Sequence, residues 1–245
     1  MSSTDTLKIL LLQARNYGDL AQAEERASFA EKAGLDLEQI VPWDLLSCPP
    51  SLGEVLGYDA LMVGGSGDFY VSRANLPCFS EAMELMQEVV ARGHPTFASC
   101  FGFQVMVKAL GGEIVYDADG MEVGTYDLTL TEAGQDDELL GGLPRHFPAQ
   151  LGRKDRAAAL PPGCVNLAFS ERSPYQALRI PGQPIWATQF HPELSGEENW
   201  TRFQRYFEGY ASVMSEEERR AARGRFRESP GTTALIRRFV ELVFG

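Results

Sequence analysis

Short apolar segments recur along the first half of the chain with one helix-length stretch between most neighbours, and few folds accommodate that alternation. Lys8 to Gln13 reads as a buried strand. From about Asp19 to Lys32, alanines, Phe29 and charged residues fall at helical spacing and stop at Gly34, a residue type that commonly ends helices. A second strand is expected over Leu37 to Val41, ended by Pro42, and a third over Asp59 to Val63, running into Gly64-Gly65-Ser66-Gly67. Leu76 to Arg92 carries Phe79, Met83, Met86 and Val90 on one stripe and predicts a helix. Pro95 to Ser99 reads as a fourth strand and Gly102 to Leu110 as the helix that follows it. Strands joined through helices run parallel, and a parallel sheet is covered on both faces, so the expected class is α/β.

The second half changes character. Glu113 to Tyr116, Thr125 to Thr131, Val165 to Ser170, Tyr175 to Ile180 and Ile185 to Phe190 read as strands linked by Gly/Pro turns, some of them forming an antiparallel extension of the sheet. Ser195 and Glu198 have the spacing of a capping box for a helix through Trp200, Phe203 and Phe207. A highly charged helix over Glu216 to Arg227 and an amphipathic one over Thr232 to Val243 complete the chain. The expected organisation is one α/β domain over residues 1–210 with a helical extension, 211–245, packed on or beside it.

Composition narrows the function. With 34 acidic and 22 basic residues the formal net charge is −12, a field that repels phosphates and argues against nucleic-acid or anionic-membrane partners. No apolar run approaches the roughly 18 to 20 residues of a membrane span, and Met1 to Thr6 lacks the basic flank of a signal peptide. Cys48, Cys78, Cys100 and Cys164 show no C-x-x-C spacing and read as reduced thiols of a cytoplasmic protein. Three scattered histidines offer no ligand pair, so no metal and no cofactor is expected.

Three short segments carry the chemistry. Ser99-Cys100-Phe101-Gly102-Phe103-Gln104 lies at the junction of an apolar strand and a helix. A thiol there sits on a sharp turn at a helix N-terminus, which favours the thiolate, beside N–H groups free to hold an oxyanion. Taken alone, Cys100 reads equally well as a buried structural cysteine. In Gln189-Phe190-His191-Pro192-Glu193, the imidazole and carboxylate at i and i+2 project to one side of an extended backbone. Pro192 favours that extended geometry for the residue before it. Gly64-Gly65-Ser66, at the end of the third strand, lets backbone approach a reacting group closely, and lacks the Lys-Ser/Thr ending of a phosphate loop. A plain turn is the other reading of that loop.

The Cys-x-Gly-x-Gln elbow, the upstream Gly-Gly loop and the late His-Pro-Glu together resemble the class I (triad-type) glutamine amidotransferases. The similarity is greatest to stand-alone proteins that look like the glutaminase domain of GMP synthetase, and it covers roughly residues 7 to 210. The resemblance implies a flavodoxin-like sheet with Cys100 as nucleophile, His191 as general acid and base, and Glu193 as its orienting partner. It implies an oxyanion hole from the N–H groups of Gly65 and Phe101, and glutamine held by Gln104 with Gly64 and Ser66. The sequence departs from the family pattern at Ala98, where many members have Gly. It departs again at Gly152-Arg153-Lys154-Asp155, where Arg153 replaces a histidine near the substrate's amino-acid end.

The implied reaction is hydrolysis of a γ-glutamyl amide, most simply glutamine, through a thioester. The ammonia would serve a separate synthetase subunit, or the protein would work alone as a γ-glutamyl peptidase or hydrolase. A catalytically silent regulatory module and a redox-sensing cysteine on the same elbow are the competing readings. His94 is expected at the sheet edge away from the site, His146 in a solvated loop, and Cys48, Cys78 and Cys164 as small packing groups.

Overall fold

A computed structural model describes residues 3–245; Met1 and Ser2, part of the segment read for a signal peptide, lie outside the described residues. The strands, in chain order, are β1 (Ile9–Ala14), β2 (Ile40–Asp44), β3 (Ala60–Ser66), β4 (Thr96–Ser99), β5 (Glu113–Tyr116), β6 (Glu122–Leu130), β7 (His146–Arg153), β8 (Asp155–Ala159), β9 (Val165–Phe169), β10 (Ala177–Arg179) and β11 (Ile185–Thr188). The helices are α1 (Ala21–Ala33), α2 (Leu52–Val55), α3 (Phe79–Arg92), α4 (Phe101–Ala109), α5 (Glu132–Gln135), α6 (Gly196–Arg205), α7 (Phe207–Ala211), α8 (Glu216–Ala221), α9 (Pro230–Thr233) and α10 (Leu235–Phe244). A nine-stranded sheet has the order β2-β1-β3-β4-β11-β10-β9-β6-β7, and β5 pairs with β8 in a separate ribbon. Pairings from β2 across to β11 are parallel, and those from β11 to β7 antiparallel.

The central strands are mostly apolar, as both their faces are covered. In β1, Ile9 and Leu11 enter one core cluster with Phe29, Phe97 and Trp186, while Leu10 and Leu12 enter the other with Met86, Phe103 and Met106. This is the period-two alternation of a strand, with both outcomes apolar. Helices α3 and α4 cover the second face, and α1 and α10 the first. The chain's last helix is therefore part of the main core. The Phe239 ring meets Phe97 and Trp186 edge-on, with centroids 5.6 and 6.1 Å away. The segment leading to it is strapped down as well: Arg227 N–H donates to Thr125 Oγ1 at 2.8 Å, and Arg227 C=O accepts from Thr125 Oγ1 at 2.9 Å and Gln150 Nε2 at 2.7 Å.

Several expectations are corrected. Pro42 does not end the second strand but lies inside β2, where the missing N–H is tolerated because β2 is an edge strand. Leu37–Gln39 is a short 3-10 turn instead of strand. Gly64 and Gly65, expected in a loop, lie within β3 just before its last residue. Strands β7 and β8 have no counterpart in the sequence reading, and β7 places His146 at the start of a strand, where its Nδ1 lies 3.0 Å from Thr129 Oγ1. Cys48 and Cys78, expected as separate thiols, form a disulfide with Cα atoms 5.3 Å apart. Both take positive φ, 70° and 51°. Among the described residues no helix is long and apolar enough to cross a membrane.

Since Phe239 is fully buried against two aromatic neighbours, Phe239→Ala should lower the unfolding free energy by about 3–5 kcal/mol, read from urea midpoints. A loss below about 1 kcal/mol would mean that α10 packs only loosely on the sheet.

Candidate active site

The sheet's parallel half sets the site. In β3, β4 and β11 the carboxyl ends lie side by side, with Val63 opposite Ala98 and Ser99 opposite Thr188. The bond from Cys100 N–H to Thr188 C=O, at 2.7 Å, continues that register by one residue. The chain then turns abruptly into α4, and Cys100 takes φ 49° and ψ −99°, a conformation L residues avoid. The turn requires α4 to pass close to β3. A methyl group on Gly102 would meet both Cβ and the carbonyl oxygen of Val63 at 2.7 Å, so only glycine fits. Phe101 is the first residue of α4, and its N–H has no acceptor within the helix.

Three residues beyond β11, His191 anchors its backbone by donating N–H to Gln150 C=O at 2.8 Å. Its Nδ1 lies 2.6 Å from Glu193 Oε1. Cys100 is close enough for its charge to act on the imidazole and favour the protonated form. Cys100 and His191 are 6% and 5% exposed, and Glu193 is fully buried. Burial alone would lower the His191 pKa, but the charges of Cys100 and Glu193 and their hydrogen bonds outweigh it and leave the imidazole at about 10. Glu193 shows the converse balance: burial favours its neutral form, yet the charge and hydrogen bond of His191, with Arg202, hold its carboxyl below the ordinary value.

The other residues singled out from the sequence meet different fates. Gln104 reaches the site, but its amide donates to Asp155 C=O and Gln189 Oε1, both at 3.2 Å. Ser66 lines the space beside Cys100, while its hydroxyl bonds the Phe69 backbone at 2.9 and 3.0 Å. The Gly65 N–H donates to Glu25 Oε1 at 3.0 Å, which engages one of the two donors expected for an oxyanion. Arg153 forms a buried ion pair with Glu122, while Asp155 accepts from Ser72 N–H and hydroxyl at 2.9 and 2.7 Å. His94 lies at the opposite end of β4, as expected.

Sequence reasoning missed four participants. Gln189 Nε2 approaches the Cys100 sulfur at 3.7 Å; its place two residues before His191 was the available signal. Glu25 also accepts from Gln13 at 2.9 Å and Arg15 at 2.6 Å, a buried cluster that nothing in the Glu24-Glu25-Arg26 run announced. Arg202 lies 3.8 Å from both Glu25 and Glu193 and links this cluster to His191's partner. Tyr210 shares with Cys100 the lining of one small void. Among the described residues, no three His, Cys, Asp or Glu side chains converge as metal ligands.

The family model for "Glutamine amidotransferase class-I" matches residues 39–207. The chain belongs to that family. Against the A subunit of the glutamine-hydrolyzing GMP synthase of Methanosarcina barkeri it is 30% identical over 214 residues, covering 83% of this chain and 98% of that protein. The glutamine-hydrolyzing GMP synthase of Aquifex aeolicus is 28% identical over 64% of this chain, a match that spans only 28% of that longer protein. A solved glutamine amidotransferase from Thermotoga maritima superposes with a TM-score of 0.68 at 17% identity, covering 97% of this chain and 98% of that one. Another, from Methylobacillus flagellatus, gives 0.66 at 17% identity, covering 97% of this chain and 92% of that one. At these identities the structures establish a common fold, the flavodoxin-like sheet of this family.

The coupling of His191 to its neighbours predicts a pH dependence. Its pKa rises from 6.5 to about 10 on folding. The stabilisation it contributes is therefore complete below pH 6.5 and drains away as pH climbs through 10. Urea midpoints should fall over that range in the wild type and fall less in Glu193→Gln, which weakens the pairing. Parallel curves for the two proteins would show that His191 is not charged through Glu193.

Proposed function

We propose that the protein hydrolyses the side-chain amide of glutamine, with Cys100, His191 and Glu193 as its catalytic residues. The observation that carries this reading is the strained elbow at Cys100, set on a strand end next to a buried His191–Glu193 pair. The Cys100 thiolate attacks the amide carbon, and the resulting oxyanion is held by the Phe101 N–H at the start of α4. His191, kept protonated by Glu193, delivers its proton to the departing nitrogen, so ammonia leaves and a γ-glutamyl thioester remains. The now neutral imidazole takes a proton from water, which attacks the thioester and releases glutamate. Nothing in this sequence of steps requires a cofactor.

The ammonia acceptor is proposed to be a separate synthetase subunit. What supports this is the match along nearly the full length of a protein named as the A subunit of a GMP synthase. The alternative of an independent γ-glutamyl hydrolase predicts full-rate cleavage of γ-glutamyl peptides without any partner.

Purified protein incubated with glutamine should release glutamate and ammonia in equal amounts, and Cys100→Ala should abolish both. Removing the nucleophile of a serine-protease triad costs on the order of a million-fold in kcat, and a loss of that order is expected. Undiminished release by Cys100→Ala would remove the proposal. Glu193→Gln should retain the fold and lose most of the turnover, read as a fall in kcat.

A further inference from the structure

The space around Cys100 and His191 is divided. One void of about 30 Å³ is lined by Cys100, Phe101 and Gln104, and a second of about 20 Å³ by His191, Asn199 and Arg202. Each has room for roughly one or two water molecules, so neither admits a carboxamide with its carbon chain. A third space, open to solvent and about 620 Å³, is lined by Asp68, Tyr70, Lys154 and the turn 204–210. That volume is of the order of small-molecule sites, roughly 300–1,000 Å³. Among the described residues, Tyr210 alone lines all three.

Tyr210 is carried on α7, just beyond the stretch matched by the family model. The helix itself has no fully buried residue and is held by polar contacts and by the packing of Phe207 and Tyr210 on Phe203. Tyr210 donates its hydroxyl to Gly152 C=O at 3.0 Å, and Lys154 Nζ donates to Gly209 C=O at 2.6 Å. Upstream, Arg15 donates to the Tyr206 hydroxyl at 3.0 Å, and Tyr206 also bonds Asp19. The Tyr210 ring rests against Phe203, with centroids 5.6 Å apart. Burial, reinforced by the charge on Cys100, pushes the Tyr210 phenol well above its ordinary value, so the hydroxyl remains a donor.

We propose that Tyr210 is a gate: in the closed position its ring separates the nucleophile from the outer cavity, and a γ-glutamyl substrate lodged there reaches Cys100 only when the ring swings aside. This rests on the reading of Cys100 as nucleophile, and it adds a residue that determines which compounds gain access. The geometry offers a simple opening motion. Releasing two hydrogen bonds, Tyr210 to Gly152 and Lys154 to Gly209, and parting the Phe207 and Tyr210 rings from Phe203 frees α7 without exposing the main core. With the ring withdrawn, the two small voids and the outer cavity share a boundary and can join into one.

Access to the sulfur can be measured without relying on turnover. Wild type and Tyr210→Ala are treated with iodoacetamide, a compact carboxamide reagent, and alkylation of Cys100 and Cys164 is followed separately by peptide mass spectrometry. Conformers of this kind are populated at about 0.1–10%, so removing the ring should speed Cys100 alkylation by about 10- to 1,000-fold. The half-buried Cys164 provides the control and should react at one rate in both proteins, showing that the fold is intact. Tyr210→Phe, which keeps the ring and loses its bond to Gly152, should fall between the two. Equal Cys100 rates in wild type and Tyr210→Ala, with Cys164 unchanged, would overturn the gate. If Tyr210→Ala accelerates alkylation while neither protein hydrolyses glutamine, the gate stands and the glutaminase reading fails. Glutamine hydrolysis with equal alkylation rates would leave the glutaminase reading in place and remove the gate.

Discussion

The site depends on the parallel pairing of β4 with β11. These strands are far apart in sequence and have no direct connection, yet their register places Ser99 opposite Thr188 and ties Cys100 N–H to Thr188 C=O. Parallel neighbours end on the same side of a sheet, so whatever follows each strand is delivered to one edge. One strand is followed by a sulfur and the other, three residues on, by an imidazole. An antiparallel pairing would have put them at opposite ends of the strands. The strain at Cys100 persists because the strand bond before it and the tight α4–β3 contact at Gly102 fix the turn from both sides.

Beneath this edge lies a chain of buried charges. Glu25, Arg15, Arg202 and Glu193 are all at least nine-tenths buried, and each lies within 3.8 Å of another member. Such groups are tolerated only where partners replace water, and removing one leaves the others stranded. Glu25 is the hub: α1 holds it where it gathers Gln13 and Arg15 from β1 and the loop after it, and Gly65 from β3. The same carboxylate that steadies the Gly-Gly segment engages the Gly65 N–H.

Much of the architecture was legible because its signals are local. Apolar runs marked the parallel strands, and the Ser195–Glu198 capping box opened α6 as its spacing required. The Cys100 elbow and the His191–Glu193 pair were legible for the same reason, since each is a short motif on a strand end. What escaped had long-range causes. β7 and β8 carry Pro148, Gly152 and Arg156, which read as loop until partners on β6 and β5 complete their hydrogen bonding. Glu25 looked like one more charge on a solvated helix, and only the fold reveals Arg15 and Gly65 beside it. Tyr210 is one of several aromatics in a short stretch, Tyr206-Phe207-Glu208-Gly209-Tyr210, with no periodicity to say which surface it would cover. The Cys48–Cys78 bond joins residues 30 apart in sequence, a meeting that spacing alone cannot announce.

The segment bearing Tyr210 is moored at both ends. Before it, α6 is fixed by its capping box and by Arg202; after it, the backbone of Arg227 is clasped by Thr125 and Gln150 on the sheet, and α10 is sealed into the interior behind that clasp. Any displacement must therefore be absorbed between Tyr206 and Phe226, as the flexing of a hoop whose feet stay planted. In the proposed gate, a hoop tied down in this way would have a short reach and would return to one seat, closing over Cys100 in the same geometry each time.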